Sequence, residues 1–177
     1  YRNATVETSA DDVSIHQVDT GGNVRELALG EQANQFTGET DYFFLNGAGQ
    51  VAPVSDGSQL VVTSTDAGGN TASTYVVLDE TSTSVVNIAN PNLSAFDIET
   101  IDLRFGDQAQ LSLTEEQVLA LSGNSDTVLV QGGADDRVTL TGAEAAGSTQ
   151  IDGQTYDIYT LGNDATVVVD EDIQIVT

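Results

Sequence analysis

Short runs of β-branched and aliphatic residues, each closed by Gly, Asp, Asn or Ser, constrain the fold of this chain more than any other feature. Val13-Ser14-Ile15-His16-Gln17-Val18, Gln59-Leu60-Val61-Val62-Thr63, Thr74-Tyr75-Val76-Val77-Leu78 and Thr127-Val128-Leu129-Val130 are the clearest. Runs this brief, bounded by turn formers, suit strands and are too short for helices. Further strands are expected near 98–105, 137–140, 155–161, 166–169 and 173–176. The expected class is all-β, with β-sandwich-like packing and one short α-helix.

That helix is expected where Thr114-Glu115-Glu116-Gln117 opens Val118-Leu119-Ala120-Leu121. Thr114 and Gln117 have the spacing of a capping box, and the two glutamates meet the positive end of the helix dipole, which makes them structural. Gly123 is expected to stop the helix. Asp19-Thr20-Gly21-Gly22-Asn23 and Asp66-Ala67-Gly68-Gly69-Asn70 echo one another between strands. Each reads as a hairpin turn, with Asp accepting from downstream amides and Gly and Asn tolerating positive φ. The composition shifts after Thr81-Ser82-Thr83-Ser84, which divides the chain into an immunoglobulin-like β-sandwich over 1–85 and a second β-rich part with the helix over 86–177, packed as one module.

Charge decides the partner classes. The chain of 177 residues has 28 acids against four arginines (Arg2, Arg25, Arg104 and Arg137), no lysine and one histidine, for a net charge of −24. Phosphate backbones need a basic face, so nucleic acid is excluded, and anionic membrane surfaces are disfavoured. Without an apolar run of about 18 residues, direct membrane insertion is not expected. Like charges about 4 Å apart in water cost ~1 kcal/mol, so the carboxylates must stay solvated or be held by cations. Hard oxygen ligands without thiols point to Ca²⁺. A halophile's cytoplasmic protein would share this acidity. Cysteine is absent, so stability rests on packing and metal, not on disulfides. The opening Tyr1-Arg2-Asn3 reads as a cut from a longer polypeptide.

Calcium needs side-chain and main-chain oxygens converging at ~2.3–2.6 Å, which turns rich in Asp, Asn and Glu can supply. The candidate metal ligands are Asp11 and Asp12, Asp66 and Asn70, Asp79 and Glu80, Asp97, Glu99 and Asp102, and Asp135 and Asp136; Asp170-Glu171-Asp172 forms a further cluster. No EF-hand loop is present. Gln131-Gly132-Gly133-Ala134-Asp135-Asp136 is similar to one turn of the Gly-Gly-x-Gly-x-Asp calcium repeat, although a lone turn cannot make a β-roll. Other chemistries are weaker. Asp19-Thr20-Gly21 matches the aspartic-protease triplet, but its second copy reads Asp66-Ala67-Gly68 and the hairpin reading explains both. Among 28 acids a glycosidase-like spacing carries no information. His16 sits mid-strand and reads as a packed or hydrogen-bonded residue. Of the aromatic residues, Tyr42 in Tyr42-Phe43-Phe44 and Tyr156 are the candidate ligand-binding side chains; Tyr156 and Tyr159 face opposite sides of their strand.

Two stretches carry a family resemblance. Asp56-Gly57-Ser58-Gln59-Leu60-Val61-Val62-Thr63-Ser64-Thr65-Asp66-Ala67-Gly68-Gly69-Asn70 resembles the closing hairpin of bacterial immunoglobulin-like repeats. Ile98-Glu99-Thr100-Ile101-Asp102-Leu103, the helix, and Thr149-Gln150-Ile151-Asp152-Gly153-Gln154-Thr155-Tyr156-Asp157-Ile158-Tyr159-Thr160 resemble the C-terminal, ligand-binding region of giant RTX adhesins. The likeness covers most of 54–177. It implies a type I-secreted module on a bacterial cell surface that uses calcium for rigidity and for holding ligands.

The expected function is therefore non-enzymatic: a monomeric Ca²⁺-binding module that serves adhesion or biofilm formation. Its ligand is extracellular, preferably a peptide held by its carboxylate, with a glycan as the other choice. A pure spacer of the same adhesin is the main rival. A carboxylate hydrolase is the third, and it needs a buried acid pair in a cleft.

Overall fold

A computed structural model describes residues 1, 3–7 and 12–177 of the chain. The fold is all-β and sandwich-like, with one α-helix among the described residues. The N-terminal strands are β1 (Asn3–Glu7), β2 (Asp12–Val18), β3 (Val24–Glu26), β4 (Ala28–Ala33), β5 (Glu39–Leu45), β6 (Ser58–Thr65) and β7 (Thr71–Val86). A 3₁₀ turn (Pro91–Ala95) leads to β8 (Ile98–Asp102), β9 (Gly106–Ser112), α1 (Glu115–Leu121), β10 (Thr127–Gln131) and β11 (Arg137–Thr139). The chain then forms the hairpin β12 (Glu144–Ile151) and β13 (Gln154–Leu161), and ends in β14 (Ala165–Asp170) and β15 (Gln174–Val176).

One sheet, in the order β12-β13-β14-β10-β8-β7-β6-β2-β3, runs through both halves of the molecule. Its alternating side chains serve two cores. On one face Ile15, Leu60 and Leu78 meet Tyr42 and Phe44 from the separate β1-β5-β4 sheet, so the N-terminal strands form a two-layer sandwich. On the other face Val61, Tyr75 and Val77 join the larger core of the C-terminal half. The division expected at residue 85 falls at the end of β7, and β7 is hydrogen-bonded to β6 on one side and to β8 and β9 on the other.

The C-terminal half is built on parallel pairing, which strand runs alone do not disclose. Strands β7, β8, β10 and β14 pair in parallel in the main sheet. The end of β7, then β9, β11 and β15, pair in parallel in a second sheet. The chain passes from one sheet to the other four times: within β7, then from β8 to β9, β10 to β11 and β14 to β15. The result is a stacked parallel coil, a solenoid-like arrangement in which each rung rests on its neighbour. Tyr75, Ile101, Val130 and Val169 form one in-register apolar row. Val86, Leu111, Val138 and Ile175 form the facing row. Burying a Val, Leu or Ile is worth ~1.5–3 kcal/mol over leaving it exposed, and these rows lie almost wholly in the core.

Local signals produced the expected elements. Thr114 and Gln117 form both bonds of the capping box at the start of α1. Val118 and Leu121 are the buried face of the helix. Gly123 does not adopt a left-handed conformation; the chain leaves the helix through Ser122, and the positive φ comes later, at Asp126 (52°). The two Asp-x-Gly-Gly-Asn turns are near copies. Asp19 Oδ1 accepts the amides of Gly21 and Asn23 at 2.8 and 2.9 Å, and Asp66 Oδ1 accepts those of Gly68 and Asn70 at the same distances. Gly22 and Gly69 take φ of 82° and 81°.

Candidate functional site

The corners of the coil gather the acids. The first corner runs from Asp102 to Ala109, the second from Gln131 to Asp136 and the third from Asp170 to Ile173. Asp102 pairs with Gln131 at the ends of β8 and β10, and Asp170 ends β14 one residue beyond the Val130–Val169 pair. The corners are stitched through backbone and side chains: Leu103 donates its amide to the Gln131 carbonyl at 2.8 Å, and Gln174 donates Nε2 to the Ala134 carbonyl at 2.8 Å.

Three of the corner carboxylates are buried, and each is tied to donors. Asp136, 1% exposed, accepts the Ala109 amide on Oδ1 at 2.9 Å and the Gly133 amide on Oδ2 at 2.8 Å. Burial pushes its carboxyl above the usual carboxylate range; those two amides pull it back, and the charges of Asp135 and Asp102 add to the rise. Asp102 holds the Arg104 guanidinium through both oxygens, at 2.9 and 2.8 Å, and accepts the Arg104 amide at 3.1 Å. Asp170 accepts Gln154 Nε2 at 2.8 Å and the Asp172 amide at 3.1 Å. The Asp102–Arg104 and Asp170–Asp172 contacts are the same residue-to-i+2 bond on equivalent corners.

The second corner needs its glycine. A Cβ on Gly132 would lie 2.6 Å from Asp136 Oδ2 and 2.8 Å from Ile173 Cδ1, so the carboxylate folds back over a residue that must have no side chain. The Gly132-Gly133 turn, expected to be isolated, thus stands between two other acid-bearing corners in a parallel stack. It departs from the calcium repeat where Asp135 replaces the third Gly and Arg137 the Asp.

The other candidate ligands are spread over the molecule. Asp135 is exposed and accepts the Gln108 amide at 3.3 Å. Asp97, at φ 50°, accepts both the amide and the side chain of Asn124, while Glu99 lies two residues on in β8. Asp66 and Asn70 bond to one another within their turn, and the Asn70 side chain and the turn amides hold the Asp66 carboxyl below its usual range. Asp12 starts β2 opposite Thr65; Asp79 and Glu80 lie on β7. Asp11 lies outside the described residues. Among the described residues, no three Asp, Glu or His side chains converge as a ready metal site.

Tyr42 and Tyr156, the candidate ligand contacts, are both buried, at 7% and 4% exposure. Tyr42 points into the sandwich core beside Phe44, which leaves little of its ring for a ligand, and Tyr156 pairs with Asp170 across β13 and β14. A shallow cleft of about 190 Å³ lies elsewhere, among Asp19, Gln59, Val85, Asn87 and Asn90. It contains none of the candidate residues.

Two relations escaped the reading of the sequence. Asp170, read there only as part of an acidic cluster, is equivalent to Asp102, which is visible only once the rungs are aligned. Glu115 does more than meet the helix dipole: its Oε1 accepts the amides of Asn163 and Asp164 at 2.7 and 3.0 Å and so holds the β13–β14 turn to α1. Among the described residues, no helix is long and apolar enough to cross a membrane. Comparison with protein-family models, with curated proteins and with solved structures returned no match.

Proposed function

We propose that the chain is a calcium-binding, non-enzymatic module of a large bacterial RTX adhesin, displayed at the cell surface after type I secretion. The observation that carries this reading is the second corner: a Gly-Gly turn followed by Asp135 and Asp136, stacked in a parallel coil between two further acidic corners. Parallel coils with Gly-rich, Asp-bearing turns are the architecture in which RTX repeats hold calcium. A hard cation here would draw on the exposed carboxylates of neighbouring corners, Asp135 and Asp172, and on turn carbonyls. The buried Asp136 and Asp170 would orient the turns. With 28 acids against four arginines, a divalent ion would also relieve self-repulsion.

On this reading the module serves adhesion, and the bound ion offers an open position to the carboxylate of an extracellular peptide. Calorimetric titration of Ca²⁺ into metal-free protein tests it. The expected result is saturable binding that weakens at least tenfold in an Asp135→Asn, Asp172→Asn double variant; absence of binding would sink the proposal. Peptide and glycan arrays, read with and without Ca²⁺, address the ligand. A spacer role is the second reading, favoured by the continuous sheet that joins the two halves through β7. Silence on both arrays would support it.

A further inference from the structure

The sheets end in several free edges, and β12 differs from the rest. Edge strands expose unpaired amides and carbonyls, and proteins usually protect them with shortness, charge, proline or bulges. β3 is three residues long and carries Arg25 and Glu26; β15 is also three residues long; β4 has Glu31 in its middle. β12 is eight residues long and its one charge is Glu144, at its start. A bulge between Ala145 and Gly147 interrupts its first part. Among the described residues, nothing protects the edge from Ser148 to Ile151.

Its geometry sets which groups are free. The two-residue turn Asp152-Gly153 has φ of 52° and 87°, as a type I′ hairpin requires. The pair closing such a turn, Ile151 and Gln154, exchanges both ladder bonds, so alternation directs the amides and carbonyls of Ser148 and Gln150 outward. Acids surround this edge: Glu144 on the strand, Asp152 in the turn and Asp157 across from Ser148. A second copy of a chain with net charge −24 would be repelled there.

We propose that the free edge of β12, from Ser148 to Ile151, receives an extended basic peptide by strand addition. Main-chain bonds to Ser148 and Gln150 give the affinity, and cationic side chains opposite Glu144, Asp152 and Asp157 give the preference. This mode needs no metal, so it goes beyond the calcium reading and stands or falls separately.

The test is amide exchange on the whole chain with an acetylated, amidated hexapeptide of alternating lysine and valine. The expected result is at least tenfold slower exchange at Ser148 and Gln150 at saturating peptide, with or without chelator. A Ser148→Pro variant removes an outward donor without touching the hairpin bonds and is expected to weaken binding at least tenfold. The same hexapeptide N-methylated at alternate residues tests the point without altering the protein, and is expected not to bind. Unchanged exchange at both amides would overturn the proposal, as would equal binding of the N-methylated peptide or of its glutamate counterpart. Protection that grows with protein concentration alone would assign the edge to self-pairing and would overturn it too.

Discussion

Asp136 Oδ1 accepts the Ala109 amide at 2.9 Å, and this bond ties the second corner of the coil to the first. Its other oxygen takes the Gly133 amide of its own turn at 2.8 Å. Asp136→Ala would leave two amides without an acceptor at a buried site, at a cost of about 2–4 kcal/mol. In chelated, metal-free protein the melting temperature should fall by roughly 5–15 °C, whereas Asp135→Ala, at an exposed position, should change it little. Equal effects of the two substitutions in thermal denaturation would contradict the assignment.

Gly132 is expected to tolerate no side chain. In Gly132→Ala the new methyl meets Asp136 Oδ2 and Ile173 Cδ1 at less than 3 Å, so a destabilisation of about 1–3 kcal/mol follows from overpacking. Gly133→Ala meets only Asp135 Oδ1, at 3.2 Å, and should cost less. Denaturant midpoints of the two variants check the order.

Burial holds the Asp136 carboxyl above the usual carboxylate range. A group with a raised folded pKa takes up its proton more readily folded than unfolded, so its protonation favours the fold as pH falls from neutral towards the ordinary carboxylate range. The hydrogen bonds of Asp19 and Asp66 act in the opposite sense: first the Asn23 or Asn70 side chain, then turn amides, hold their carboxyls low. Their contribution is present above the ordinary range and is lost only as pH falls through their lowered values. The melting-temperature gap between the native chain and Asp136→Asn should therefore widen as pH falls from neutral towards the ordinary carboxylate range. A gap that stays constant or narrows would show that Asp136 does not titrate in this window.

Glu115 links α1 to the β13–β14 turn through the Asn163 and Asp164 amides. Glu115→Ala should raise hydrogen exchange at those two amides while leaving the sandwich strands β2 and β6 protected. Unchanged exchange at Asn163 and Asp164 would place the restraint elsewhere.

What the sequence disclosed was local. The strands at Val13 and Val128, the capping box at Thr114 and the twin Asp-x-Gly-Gly-Asn turns each depend on a few consecutive residues, and each formed. β9 was missed because Gly106-Asp107-Gln108-Ala109-Gln110-Leu111-Ser112 has only Ala109 and Leu111 turned inward. β12, almost wholly exposed, has no apolar alternation to reveal it. The parallel coil is non-local: Ile101 pairs with Val130, and Val130 pairs with Val169, with α1 in the first interval and the β12–β13 hairpin in the second. The candidate site suffered most from this. Asp136 looks like one of a surface acid pair until its rung is stacked on Ala109, and Tyr42 looks like a ligand contact until Phe44 and Leu60 enclose it.

Calcium binding is the central claim, and a thermal melt of the chelated protein tests it most directly. The account predicts a melting temperature that falls on exhaustive chelation and recovers with millimolar Ca²⁺ but not with NaCl of equal ionic strength, which supplies only screening. A melt unchanged by chelation, or restored equally by NaCl, would contradict it.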